Sequence, residues 1–182
     1  MLGYKGFNKG LRCMGYQYKM GLNVTEKAKA VAYGFHYAED PLDCLTYYQD
    51  MNSSEYYIVD GTGDIDEDGH DSKIACTELT ILKKLSKEDF VLHALAYVAD
   101  HHKRQRNPKV CKDKGIAGHL GFVIVTGADP IAKGKKGDIL AFARENSEGN
   151  ILEVAMVTVD GRKVRPGKWY SIDLKERQVA EP

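Results

Sequence analysis

Ser86-Lys87-Glu88-Asp89-Phe90-Val91-Leu92-His93-Ala94-Leu95-Ala96-Tyr97-Val98 is the stretch on which the reading of the fold turns. Ser86 with an acid three residues on is the mark of a capped helix start. Phe90, Val91, Ala94, Leu95 and Val98 then fall on one face at helical spacing. The pattern predicts a helix to about His102 or Arg106, ending before Pro108, because the residue preceding a proline is driven out of the helical region. It is the clearest helix in the chain, and different textures lie on its two sides.

Upstream, Tyr4-Lys5-Gly6-Phe7 and the loosely alternating Leu11 to Tyr18 read as short strands around a Gly10 turn. Thr25 to Val31 reads as a strand or a short helix. Asp40-Pro41 reads as a helix start, with Asp as cap and Pro preorganised in the first turn. Glu55 to Asp60 and Ser72 to Leu82 are β-rich, and the polar stretch 61–71 between them reads as a hairpin loop. Downstream, glycines punctuate the apolar runs Val123-Ile124-Val125, Ile139-Leu140-Ala141-Phe142, Ile151 to Val159 and Trp169 to Leu174, the expected strands. Val159-Asp160-Gly161-Arg162 reads as a tight hairpin turn. The glycine spacing hints at a short solenoid-like stack without forming a regular repeat. The expectation is an α+β protein: a mixed α/β N-terminal domain over 1–85, a linking helix with a basic segment over 86–114, and a small all-β domain over 115–182.

The 182 residues carry 26 basic and 26 acidic side chains, and this zero net charge excludes a uniformly basic nucleic-acid-coating protein. Resolved by position, the balance becomes +5 over 1–38, −11 over 39–78, 0 over 79–102 and +6 over 103–182. At 43% hydrophobic residues a wholly disordered chain is excluded too. The start lacks the apolar stretch of a secretory leader, and the longest apolar run, 121–128, is too short for a bilayer, so a cytoplasmic location is expected. Cys13, Cys44, Cys76 and Cys111 are widely spaced and read as free, mostly buried thiols.

Three surfaces or clusters carry candidate chemistry. Asp64-Ile65-Asp66-Glu67-Asp68-Gly69 imitates half of a calcium loop, but its twelfth position is Ala75 instead of the closing glutamate. It therefore reads as a solvated acidic hairpin, with Asp64, Asp66, Glu67 and Asp68 available to a basic partner surface. Lys103, Arg104, Arg106, Lys109, Lys112 and Lys114 stand against Asp113 alone and form the best phosphate-binding segment. Its bland alternative is a basic helix end followed by a solvated linker. Gly34-Phe35-His36-Tyr37 with Tyr47-Tyr48 reads either as core or as an aromatic slot with hydrogen-bonding tips. Gly127 to Lys136 fails the phosphate-loop spacing, and neither a nucleophile elbow nor a zinc-protease motif is present. No cofactor and no metal is expected.

Gly3-Tyr4-Lys5-Gly6-Phe7, Leu11 to Tyr18, Gly34-Phe35-His36-Tyr37, Asp40-Pro41-Leu42-Asp43 and Tyr47-Tyr48 resemble an N-terminal domain of unknown function. That domain is found in many phage and prophage proteins of Gram-positive bacteria. Ala132-Lys133-Gly134 through Val159-Asp160-Gly161 to Trp169-Tyr170 resembles the closing β module of the same family. Val31 and Ala38 stand where relatives often have Cys, so no metal role carries over. Within that family the chain resembles anti-CRISPR proteins directed at type II-A Cas9. The resemblance implies a Cas9 and guide-RNA complex as partner, with inhibition on or through the guide RNA. A weaker resemblance, to the three-part motif of ADP-ribosyltransferases, implies His36, Tyr47 and Glu78 as catalytic residues, with Lys5 where His or Arg is usual. A binding inhibitor, an enzyme and a phage structural module all stay open.

Overall fold

The computed structural model describes residues 1–28, 33–67 and 72–179. The chain divides into two compact units, Met1–Phe90 and Val91–Pro182. About half of it is strand, and helix is scarce.

The first unit is built from β1 (Leu2–Asn8), β2 (Arg12–Cys13), β3 (Tyr16–Gln17), β4 (Gly21–Val24), β5 (Phe35–Ala38), β6 (Ser54–Glu67) and β7 (Lys73–Lys84). A short 3-10 turn, Pro41–Asp43, runs into the four-residue helix α1, Cys44–Tyr47. The start is as the sequence reads it: Asp40 accepts the Leu42 amide at 2.9 Å and Pro41 sits in the first turn. Strand β1 pairs antiparallel with β5 and β6, and both of those pair with β7. The four strands therefore close into a small barrel. Closure leaves none of the four with both edges open. The far part of β7 takes β4 on the edge that β5 leaves free.

Phe7, Tyr18, Phe35, Tyr37, Tyr57, Val59, Ile74, Cys76, Leu79 and Ile81 make the core of this unit. Its rings meet edge-on or tilted, as in Phe7 against Tyr18 at 5.1 Å and Tyr57 at 5.5 Å. Tyr37 needs room that only glycine leaves. A Cβ on Gly61 would lie 2.4 Å from its ring, and one on Gly3 2.5 Å. The Tyr37 hydroxyl is buried with no hydrogen-bond partner among the described residues.

The α+β expectation is overturned here, and with it the ADP-ribosyltransferase-like mixed domain. The polar stretch expected as a hairpin loop is strand: β6 continues to Glu67, pairing Ile65 with Cys76 and Glu67 with Ile74. Backbone hydrogen bonding needs no apolar side chains, so a polar ribbon extends as far as its partner strand does. Gly63, at φ +76, supplies the bulge between Thr62 and Ile65. The Thr25 to Val31 segment is described only in part, and Asp68 lies outside the described residues.

Helix α2 (Lys87–Asp100) begins as its sequence predicts: the Asp89 amide donates to the Ser86 hydroxyl at 3.0 Å. It ends two residues before the earliest expected stop, where the His101 ring stacks on Tyr97 at 4.0 Å. It is not a linking helix. The unit boundary falls inside it, and Phe90, Val91, Ala94, Leu95 and Val98 are all buried, whereas a linker would be solvated.

The second unit holds β8 (Val110–Ile116), β9 (Phe122–Lys133), β10 (Ile139–Glu145), β11 (Ile151–Thr158), β12 (Trp169–Ser171) and β13 (Glu176–Arg177). Strands β8, β9 and β10 are parallel neighbours. Ile116 pairs with Lys133, Phe122 with Ile139 and Gly127 with Arg144, each 17 residues apart. The hint of a stack is thus met by a short run of parallel rungs. Gly127 lets β9 pass close to β8, since a Cβ there would lie 2.3 Å from the Asp113 carboxylate. The continuous apolar runs at 122–125 and 139–143 are buried on both faces, the usual state of parallel strands. The expected hairpin at Asp160-Gly161 does not form. Asp160 instead accepts the amides of Arg162 and Val164, and no strand follows until Trp169. No helix among the described residues is long and apolar enough to cross a membrane.

Candidate functional site

Lys5 is the most unusual ionisable group of the first unit. Strand alternation places it on the same side of β1 as Phe7, inside the barrel, where only 6% of the residue is exposed. Its ammonium donates to the His36 carbonyl and stands 5.4 Å and 5.5 Å from the centres of the Phe7 and Tyr18 rings. Burial holds its pKa below the ordinary lysine value, and this effect outweighs the neighbouring Cys13, Cys44 and Cys76 thiols and the Cys13 hydrogen bond. Burial in turn pushes the Cys44 thiol up to about 12 and that of Cys76 to about 11. All four cysteines are free, with Cys44 and Cys76 buried and Cys13 and Cys111 half-buried. Among the described residues no group of three or more His, Cys, Asp or Glu is placed to hold a metal ion.

The three residues suggested for catalysis occupy three different settings. His36 is half-buried on β5 opposite Ala75, and its carbonyl receives Lys5. Tyr47 ends α1 with 65% of its surface exposed. Glu78 lies on β7 between Val24 and Thr62, and its carboxylate accepts the Thr62 hydroxyl at 2.8 Å. The aromatic neighbours of His36 are core: Phe35 and Tyr37 are buried, and Tyr48 packs on Gly6, where a Cβ would lie 2.5 Å from its ring.

The acidic stretch forms the far end of the β6 ribbon. Asp64, Asp66 and Glu67 are exposed there, and the Asp64 amide donates to the Thr77 hydroxyl at 2.9 Å. Pairing with Ala75 and Ile74 holds the Asp66 and Glu67 carboxylates at fixed spacing, which a loop would not do.

The basic segment is split by the fold into four parts. Lys103 and Arg104 are exposed just past α2, with Arg104 donating to the Tyr97 hydroxyl at 2.9 Å. Arg106 and Lys112 converge on Glu145 of β10, whose side chain is only 8% exposed. Arg106 contacts it at 3.2 Å and also donates to the Val98 carbonyl, tying the end of α2 to the sheet. Burial works to raise the Glu145 pKa, but hydrogen bonds from Lys112, Thr126 and Arg106 prevail and hold the carboxyl below its ordinary range. Lys109 is half-buried in the Asn107 turn. Lys114, exposed on β8, stands 4.5 Å over the Trp169 ring, joined there by Lys133 at 4.8 Å.

Sequence reasoning weighed Gly127 to Lys136 only as a phosphate loop and so missed Lys133 beside Lys114. Lys133, Lys135 and Lys136, and Arg162, Lys163 and Lys168 far along the chain, lie in or beside glycine-bracketed turns. Gly134-Lys135-Lys136-Gly137 and Gly161-Arg162-Lys163 were the available signals: paired cations at tight turns, where lysine and arginine side chains project into solvent.

No curated protein and no solved structure matches the chain. A family model described as "Domain of unknown function (DUF7666)" matches residues 1–93. That match takes in the whole barrel unit, Lys5 and the acidic ribbon. Since it spans half of the 182 residues, the chain belongs to this family of domains of unknown function.

Proposed function

We propose that the chain is a binding inhibitor carried by a phage or prophage, acting in the host cytoplasm on a type II-A Cas9 and guide-RNA complex. The choice of target rests on the sequence resemblance. The mode of action is supported by one structural observation: the opposed charges of the chain are displayed on exposed, backbone-ordered segments. Asp66 and Glu67 present carboxylates along a paired strand in the first unit, with Asp64 in the bulge just before them, suited to a basic protein channel. Lys103, Arg104 and Lys114 present cations in the second, suited to guide-RNA phosphates. Inhibition then works by occlusion and needs no chemistry.

The test is a Cas9 cleavage assay in which the guide RNA is recovered and sized and Cas9 is weighed by mass spectrometry. Occlusion predicts less cleavage with full-length guide and unmodified Cas9. Full cleavage at saturating protein overturns the inhibitor reading. A shortened guide or a mass gain on Cas9 overturns occlusion in favour of an enzyme.

A further inference from the structure

The basic segment that the sequence displays is not the only cluster of cations in the second unit. A second is one that only folding assembles. Three turns meet at one end of the rung stack. The Gly167 amide donates to the Gly134 carbonyl at 2.8 Å, and the Gly137 amide donates to the Val159 carbonyl at 2.9 Å. The Lys136 side chain lies along the Gly161 backbone, 3.6 Å from where a Cβ would stand. This brings together Lys133, Lys135, Lys136, Arg162, Lys163 and Lys168, all exposed except the half-buried Lys133.

The acids within these turns, half-buried Asp138 and exposed Asp160, are engaged by the turns' own amides. Asp138 accepts the Lys135 amide at 2.7 Å, and Asp160 accepts the amides of Arg162 and Val164. No ion pair among the described residues reaches any of the six cations. Lys133 shares the Trp169 ring with Lys114, their ammonium groups 4.8 Å and 4.5 Å from its centre. Like charges held this close repel, and a polyanion relieves the repulsion while releasing its own counterions.

From this we infer that the turns 133–137 and 160–168 form a binding surface for the phosphodiester backbone of a single-stranded nucleic acid. Recognition is sequence-independent: Trp169 is only 9% exposed, so no ring is offered to a base. The turns carry no exposed large apolar side chain, which disfavours a membrane surface and leaves a protein partner without an anchor. The surface stands apart from the Cas9 reading, because free oligonucleotides suffice to test it.

The experiment titrates the full chain into fluorescein-labelled oligouridine and oligothymidine and follows anisotropy as salt is raised. The Lys135→Ala, Lys136→Ala, Arg162→Ala, Lys163→Ala variant is expected to bind at least about tenfold more weakly, with the slope of log affinity against log salt reduced by about 3. A Lys9→Ala, Lys19→Ala variant should change affinity by less than about threefold, since those exposed lysines belong to the first unit and lie outside the cluster. A 2′-hydroxyl contact would make the RNA arm tighter than the DNA arm; equal affinity assigns the contact to phosphates alone, and both results support the surface. Wild-type protein that binds neither oligonucleotide overturns it. So does a wild-type salt slope smaller than about 1, which is measured without any variant. Retained affinity in the fourfold variant, or binding only to phosphatidylserine vesicles, overturns it as well.

Discussion

Lys5 and Arg106 are both withdrawn from water, one in each unit, and their surroundings differ in a single respect. Arg106 meets the buried carboxylate of Glu145, which also holds Lys112. Lys5 meets a main-chain carbonyl, thiols and two rings, with no ion pair to a carboxylate among the described residues. A buried charge with an opposite partner is costly mainly when the pair is broken, whereas one without such a partner is costly as it stands. The Glu145 cluster therefore reads as a clamp that joins the end of α2 to β10. Lys5 reads as a charge that the barrel tolerates at the expense of stability.

Breaking the clamp gives the largest expected effect. Glu145→Ala leaves Arg106 three-quarters buried without its partner and should cost about 3 kcal/mol in urea unfolding. A cost under about 1 kcal/mol would mean that Arg106 finds water as readily as it finds Glu145. Removing the lone charge should act in the opposite direction. Lys5→Met keeps the length of the side chain and should stabilise the protein by about 1 to 2 kcal/mol. Destabilisation instead would show that the bond to the His36 carbonyl and the ring contacts outweigh desolvation.

The same contrast predicts opposite pH behaviour. Glu145 has a lowered folded pKa, so its contribution is complete above the ordinary carboxylate range and is lost as pH falls through the lowered value. Glu145→Ala should therefore flatten the acid limb of stability. Cys44 and Cys76 have raised folded pKa values, about 12 and about 11 against an ordinary 9.0. Their contribution is complete below pH 9 and declines as pH rises toward those values. Lys5, lowered from 10.5, runs the other way: its penalty is relieved as pH rises from its folded value toward 10.5. Lys5→Met should accordingly steepen the loss of stability on the alkaline side, as read from unfolding midpoints in a pH series. The smallest effect is chemical. Iodoacetamide at about pH 8 should label Cys13 and Cys111 in the native protein and spare Cys44 and Cys76 until denaturant is added, by peptide mass. Fast labelling of Cys44 would show that the barrel unit opens locally.

How far the sequence could be read depended on whether a signal was local. Ser86 and Asp89, or Asp40 and Pro41, act across three or four residues, and both helix starts are legible for that reason. The apolar runs at 123–125 and 139–142 declare strands by composition. The polar 61–67 stretch misled because it lacks the apolar alternation that marks a strand, and its strand character comes from backbone pairing with β7, as in Ile65 with Cys76 and Glu67 with Ile74. The offset between rungs, as in Ile116 with Lys133 but Val110 with Ile124, was invisible as a repeat, since it shifts along β8 and backbone pairing, not side-chain identity, sets it.

The candidate surfaces divide in the same way. By itself the sequence determined the segregation of charge, the capped helix and the exposed acidic stretch, because each is a property of neighbours along the chain. Tertiary structure alone decided that Arg106 and Lys112 are held by Glu145, more than thirty residues away, and that cations from 133–136 and 162–168 share one surface. It also decided that Lys5 points inward. Coulomb attraction and desolvation depend on distance in space and on exclusion of water, and neither is written in the order of residues.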